Sequence, residues 1–369
     1  MFNTDDVPAQ ATGVLTISPA AVVANWQFLR AKVGAGCAVS AVVKAQAYGL
    51  GAAPITRALL AAGCRRFFLA NIDEGIELRQ ALGARSDVTL AILAGPPERG
   101  AGLLLEHGLV PVLNDPAQIA LWRRAAPGKP SILNIETGMA RLGLSSRDVE
   151  LLTADPTSFE GLNPILVMSH LACADEPEHP LNDLQRQRFA TLAALLPSAP
   201  MSLAASSGIF LGPPYHHGMV RPGAALYGLN PTPECPNPMR EVVGLKAKIL
   251  QLQEIDADRT VGYGATHIAR RASRLAIIGV GYADGCLRSA GNVASFRVGT
   301  HRVPVVGRIS MDLITVDVTE LPADEVRPGS WIDVIGPDYT VDHLARDSGT
   351  IGYEILTRLS QRLHRVYLS

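Results

Sequence analysis

Cys37 to Ala52 reads CAVSAVVKAQAYGLGA, and the rest of the chain is best understood outward from it. Small and β-branched residues (Ala38, Val39, Ala41, Val42, Val43) run up to Lys44 and stop there. Ala-Gln-Ala, Tyr48 and the pair Gly49 and Gly51 follow. A short apolar run bounded by glycines reads as a buried strand. An ammonium group at the end of such a strand is costly unless it is paired or neutralised. An amine kept near neutrality is also what a Schiff base requires, because only the free amine attacks a carbonyl. The plainer alternative is a lysine that snorkels to solvent at the strand end.

Strand-like and helix-like stretches alternate on both sides of this segment. Strands are expected at 13–17, up to Val43, and at 66–70, 88–93, 109–113, 131–136, 164–168, 201–205 and 224–227. Ser18-Pro19 supplies an N-cap and a first-turn proline for a helix to about Ala31. Further helical patterns lie at 52–62, 73–82 (acidic in its first turn), 116–125, 147–153 and 184–196. Nine candidate strands are one more than a (β/α)8 barrel needs, and 13–17 is the surplus one, packing elsewhere. An open doubly wound sheet is the structural alternative. It would often carry a glycine-rich turn after its first strand, and no GxGxxG is found there.

The texture changes after Pro231–Pro238 (PTPECPNP), which reads as a linker. Beyond it β-type runs dominate, at 245–253, 274–280, 294–298, 302–306, 312–318 and 331–335, with helical patterns at 341–347 and 353–363. The expected architecture is α/β, a (β/α)8 TIM-like barrel over 1–235, followed by a mainly β C-terminal domain over 236–369. The first ~17 residues are expected to pack on the second domain.

Composition excludes several functions. The 369 residues carry a net charge of -1, 47 % apolar and 18 % charged residues, which describes a globular chain without the electrostatic footprint of a nucleic-acid or anionic-membrane binder. Five scattered cysteines with no CxxC pair argue for reduced thiols and against a disulfide framework or a zinc site. No apolar run approaches about eighteen residues, and MFNTDDVPAQ is unlike a signal peptide, so a cytoplasmic location is expected.

Barrel enzymes build their sites at the C-terminal ends of the strands. Lys44 meets that rule, as do Arg141 in ETGMARLG, His170 in MSH and Arg221 in RPGAALYG. Singly each is weak, since a strand-end histidine is more often hydrogen-bonded structure than catalyst. VGYG (261–264) alone would read as a β-turn with an exposed tyrosine. GVGYADG (279–285) is a lone glycine pattern in β-type sequence, not a dinucleotide fingerprint.

The segment Val42–Gly49 resembles the pyridoxal phosphate attachment motif VVKANAYG of alanine racemases, with Gln46 in the place of the usual Asn. ETGMARLG resembles that family's DTGMxRxG, SHLACAD its SHFAxAD, and MVRPGAALYG is nearly identical to its pattern. VGYG, GVGYADG, GRISMD and GTIGYE are similar to motifs of its second half, in the family's order. The resemblance implies pyridoxal phosphate on Lys44, with Tyr48, Ser206, Tyr353 and the N–H groups of Gly223 and Ala224 on its phosphate. It implies His170 against the cofactor ring and Arg221 at the pyridine nitrogen. Arg141 and the Met311 backbone would then meet the substrate carboxylate. Asp175, Tyr282, Arg288 and Arg308 match residues of the entry passage.

Racemisation takes a proton from one face of a carbon and returns one to the other, and Lys44 and Tyr263 match the family's two bases. The family's active form is a homodimer with shared sites, which implies that Tyr263 serves a second copy. A D-alanine supply for peptidoglycan follows from the same resemblance. The chain departs from the family at Asn134, where many members carry a carbamylated lysine that orients the arginine seven positions on, so a bound anion such as chloride is expected instead. Ala205, Gly352 and Ser310 are further departures, and they leave open a broader racemase acting on serine or larger amino acids. A decarboxylase of this architecture would carry glutamate rather than Arg221. A non-catalytic cofactor carrier would lack the second domain and Tyr263.

Overall fold

The computed structural model describes residues 7–83 and 85–368. The 38–42 run is a strand broken at Ser40, and it opens a parallel barrel. Its members are β2 (Ala38–Val39), β3 (Ala41–Val42), β4 (Arg66–Leu69), β5 (Thr89–Ile92), β6 (Val110–Leu113), β7 (Pro130–Asn134), β8 (Asn163–Met168), β9 (Met201–Ser202) and β10 (Met219–Val220). Sheet order follows chain order from β3 to β9, and β10 pairs in parallel with β2. The ring closes where Gly218 donates to Met201 O at 3.0 Å and Arg221 N to Ala204 O at 3.0 Å.

Strand side chains alternate between two environments, as a period of two demands. Phe68, Ala91, Val112, Ile132, Leu166 and Met219 fill the interior, whereas Phe67, Leu69, Leu90, Ile92 and Leu133 face the surrounding helices. Those helices start where their caps stand. Ser18 accepts from Ala21 N ahead of helix Pro19–Val33, Asn71 from Glu74 N ahead of Ile72–Leu82, and Asp115 from Gln118 N ahead of Pro116–Ala125.

β1 (Gly13–Ile17) takes no part in the barrel. It lies antiparallel to β11 (Val243–Ile255) and parallel to strand His364–Tyr367, inside the sheet of the second domain. That domain is mainly β, with strands Ser273–Ile278, Ser295–Val298, His301–Pro304, Ile314–Asp317 and Trp331–Ile335. Two expectations are corrected. Residues 224–227 form a tight helical turn, and the last barrel strand is Met219–Val220. A fully buried apolar run is ambiguous between the two states, and two-residue strands have no readable period. The C-terminal helix stops at Arg358, and 364–367 forms a strand. Among the described residues, no helix is long and apolar enough to cross a membrane.

Candidate active site

At the C-terminal ends of the barrel strands lies a cleft of about 720 Å³. Lys44, Tyr48, Arg141, His170, Ser206, Arg221, Gly223, Ala224 and Tyr353 all line it. Tyr353 reaches it from helix Gly352–Arg358 of the second domain, with its ring 5.9 Å from that of Tyr48. Tyr263 and Met311 do not line it. Their side chains are 71 % and 52 % exposed, on loops of the second domain.

The backbone after Lys44 is unusual. Ala45, Gln46, Ala47 and Tyr48 have φ of 51°, 55°, 53° and 57°, one turn of left-handed helix. For residues bearing a Cβ this costs roughly 1–2 kcal/mol each, so the turn needs external support. Within it Ala47 donates to Val43 O at 2.9 Å and Gly49 to Ala45 O at 2.7 Å. From outside, Arg365 donates to Gly49 O at 2.6 Å and Tyr367 to Leu50 O at 2.9 Å. Gly49 is required there, since a Cβ would stand 2.4 Å from Leu356 O. The turn lets both Lys44 and Tyr48 face the cleft. Burial lowers the Lys44 pKa, the Arg141 charge lowers it further, and Glu74 opposes them.

Arg221 is almost fully buried. It donates from Nη1 to Ser202 O at 2.9 Å and Ser202 Oγ at 2.6 Å, and from Nη2 to Ser169 O. These bonds offset the cost of burying a cation. Burial pulls its pKa down to about 10, which still leaves it charged at neutrality. Arg141 sits on a loop held by amides. Asn134 donates both N–H groups, one to Asn114 Oδ1 at 2.9 Å and one to Leu142 O at 3.2 Å. Glu136 accepts from Gly138 and Ala140.

Ser206 Oγ accepts from Gly223 N at 3.0 Å and Ala225 N at 3.1 Å, which gathers a hydroxyl and backbone donors at one point. A Cβ on Gly223 would stand 2.3 Å from the Tyr48 hydroxyl, so only glycine fits. Gly352 has a comparable reason, because a Cβ there would meet Leu229 and Asp342 at 2.5 and 2.7 Å.

Two supporting residues were missed in the sequence: Gln185, which carries no motif, and Tyr227, which lies in RPGAALYG but was given no role there. Gln185, fully buried on helix Pro180–Ala193, donates to His170 O at 2.9 Å and Thr137 Oγ1 at 3.2 Å and accepts from Ala172 N at 2.8 Å. It thereby ties the Arg141 loop to the His170 segment. Tyr227 donates to Val42 O at 2.8 Å and packs on Tyr48 with ring centroids 4.6 Å apart. A polar residue at a helical core position was the only available signal for Gln185.

Burial, then the charges of Arg221, Arg141 and Lys44, pull the His170 pKa down to about 3, so its imidazole is neutral at working pH. The sign of the linkage follows. Between pH 6.5 and 3 the unfolded chain binds a proton at this histidine that the folded chain does not, so stability falls as pH falls through that window. In cofactor-free protein, denaturant melts from pH 7 to 4 should show a pH slope shallower by about one proton in His170→Gln than in the parent. Equal slopes would mean that His170 titrates normally.

These groups, a half-buried lysine, two arginines and a neutral histidine at the mouth of a barrel backed by a β domain, define a candidate enzyme site, and comparison with known proteins gives the family. Residues 17–231 match the family model described as alanine racemase, N-terminal domain, and residues 242–367 the one described as alanine racemase, C-terminal domain. The alanine racemase of Rhodospirillum rubrum is 51 % identical over 362 residues, covering 97 % of this chain and 96 % of its own. The catabolic alanine racemase of Mesorhizobium japonicum is 46 % identical over 364 residues, covering 98 % and 94 %. The crystal structure of alanine racemase from Bartonella henselae with covalently bound pyridoxal phosphate superposes with a TM-score of 0.92 at 40 % identity, covering 97 % of this chain and 100 % of that one. The chain belongs to the alanine racemase family, and its activity is that isomerisation.

Proposed function

We propose that Lys44 and Tyr263 of a second copy of the chain carry the proton on opposite faces of alanine, with pyridoxal phosphate held by Lys44. One observation supports this above the rest: the cofactor and substrate candidates gather in one cleft, while Tyr263 and Met311 stand outside it and exposed. Racemisation needs an acid–base group on each face, and among the described residues the cleft offers one amine.

The residues present fit the cofactor. Ser206 Oγ, which accepts from Gly223 N and Ala225 N, keeps its own hydroxyl proton to donate to a phosphate, and Tyr48 and Tyr353 wall that end. Bound there, pyridoxal phosphate supplies the electron sink that lets the α-proton leave. The depressed pKa of Lys44 keeps its amine available to take that proton. Arg141 holds the substrate carboxylate, and neutral His170 packs along the ring. Arg221 presents a fixed cation at the far end of the cleft and has no proton to give at neutral pH.

The proposed assembly is a homodimer with shared sites. Loops at Tyr263, Arg308–Met311 and Tyr282 adjoin on the second domain: Tyr282 donates to Ser310 O and Ala283 to Met311 O, and the Arg308 guanidinium lies against Gly264. Tyr263, Met311 and Tyr282 are exposed there, a surface suited to closing over another copy's cleft. The product D-alanine suits peptidoglycan synthesis. Chiral chromatography after incubation with L-alanine or L-serine tests the preference. D-alanine is expected at least about tenfold faster, the discrimination that one added hydroxyl in a small pocket provides. Comparable rates would assign a broad racemase, with Ala205 in the cleft wall as the first residue to exchange.

A further inference from the structure

We propose that Glu74 is a positioning residue for Lys44, its carboxylate keeping the left-handed turn wound so that the lysine amine points into the cleft. The proposal rests on the role given to Lys44 above. Hydrogen bonds inside the turn begin at Ala47 N, which leaves Ala45 N to find a partner elsewhere. Glu74 Oε1 accepts from it at 2.9 Å, and Glu74 Oε2 accepts from Ala70 N at 2.8 Å. One carboxylate therefore laces the exits of two neighbouring strands, β3 and β4.

The geometry departs from ordinary capping. Glu74 is the third residue of helix Ile72–Leu82, and its own N–H donates to the cap Asn71. A glutamate at that position ordinarily reaches back to the cap's N–H. Here it reaches one residue further, to Ala70, and across to Ala45. One turn along the same helix Glu77 accepts from Gln46 Nε2 at 2.8 Å, and Gln46 Oε1 accepts from Ala52 N at 3.2 Å. Two acids of one helix thus grip consecutive residues of the turn. Alanine and glutamine do not prefer left-handed backbone, so the winding depends on such outside partners. The negative charge of Glu74 also acts on the nearby Lys44 ammonium and opposes its neutralisation.

The test compares full-length, cofactor-loaded Glu74→Ala, Glu74→Gln and Glu74→Ala/Ala45→Gly with the parent. Glu74→Ala is expected to lower kcat for L-alanine about 30-fold with KM changed less than about twofold, because aim matters at the transition state and not to substrate binding. Amide exchange over residues 44–50, measured by mass spectrometry with and without cofactor, should rise about tenfold. Glu74→Gln keeps one acceptor oxygen and should lie between. Glycine enters left-handed backbone without a Cβ cost, so Ala45→Gly should restore a substantial part of kcat and of protection. A merely structural Glu74 would lower thermal stability without rescue by glycine, and that result would overturn the proposal, as would unchanged kcat and exchange in Glu74→Gln. If Lys44→Ala proved active, the role of Lys44 would fall, while the exchange data would still judge the hold of Glu74 on the turn.

Discussion

Lys44→Ala is expected to abolish racemisation in both directions, by about 10⁴-fold or more, because on the proposed roles it removes both the covalent anchor and one of two proton carriers. Among the described residues no other lysine lines the cleft to take its place. Stability should change little, since among the described residues the Lys44 amine has no hydrogen-bond partner to orphan. The measurement is circular dichroism of the reaction mixture, begun separately from L- and D-alanine, alongside the visible spectrum of the protein. A variant within about tenfold of the parent would strip Lys44 of its role.

The second large effect concerns Tyr263. On the proposed roles, Tyr263→Phe leaves Lys44 able to work on one face only. Inversion should fall by about 10³-fold, while one enantiomer continues to exchange its α-hydrogen with D₂O without inverting. That split is the signature of two one-sided bases, and equal loss of exchange and inversion for both enantiomers would argue for one base. Mixing Lys44→Ala with Tyr263→Ala gives the complementary test. If subunits exchange freely, half the dimers are mixed and each has one site with both groups, so about one quarter of the parent's sites return. A site built within one chain returns nothing. Exposure of Tyr263 on a loop outside its own chain's cleft is the reason to expect recovery.

Much of this was legible from the sequence, and the gaps have physical causes. The alternation of short apolar runs with amphipathic helices carried the barrel, because strand and helix periods are written into local sequence. The surplus strand 13–17 was readable as surplus, though not its neighbours, since pairing between residues 15 and 365 leaves no local trace. Strand 364–367 (HRVY) is only partly buried and too polar for the pattern. The cleft residues were legible through motifs. Their supports were not. Glu74 read simply as an acid favourable to a helix start, and its carboxylate does something else. The left-handed turn was invisible, because Ala and Gln are good right-handed helix formers and only Gly49 and Gly51 hint at trouble. Arg141 shows the opposite case: the motif named it, but what holds its loop is the Asn114–Asn134 amide chain, a pairing across twenty residues that leaves no local trace.

The position of β1 bears on biosynthesis. Val14 to Ile17 are hydrophobic or half-buried residues whose two partners are made long after them, β11 once the whole barrel has been translated and strand His364–Tyr367 at the very end. At roughly 5–20 residues per second, the ribosome takes about 10 to 45 s to travel from Ile17 to Val243. Throughout that interval an apolar strand with two unsatisfied edges waits, and it still waits once Met219–Val220 is made and the barrel can close. Such a strand is a ready template for another nascent chain, so this protein's yield in a cell should respond to chaperone capacity and growth temperature more than its final stability would suggest.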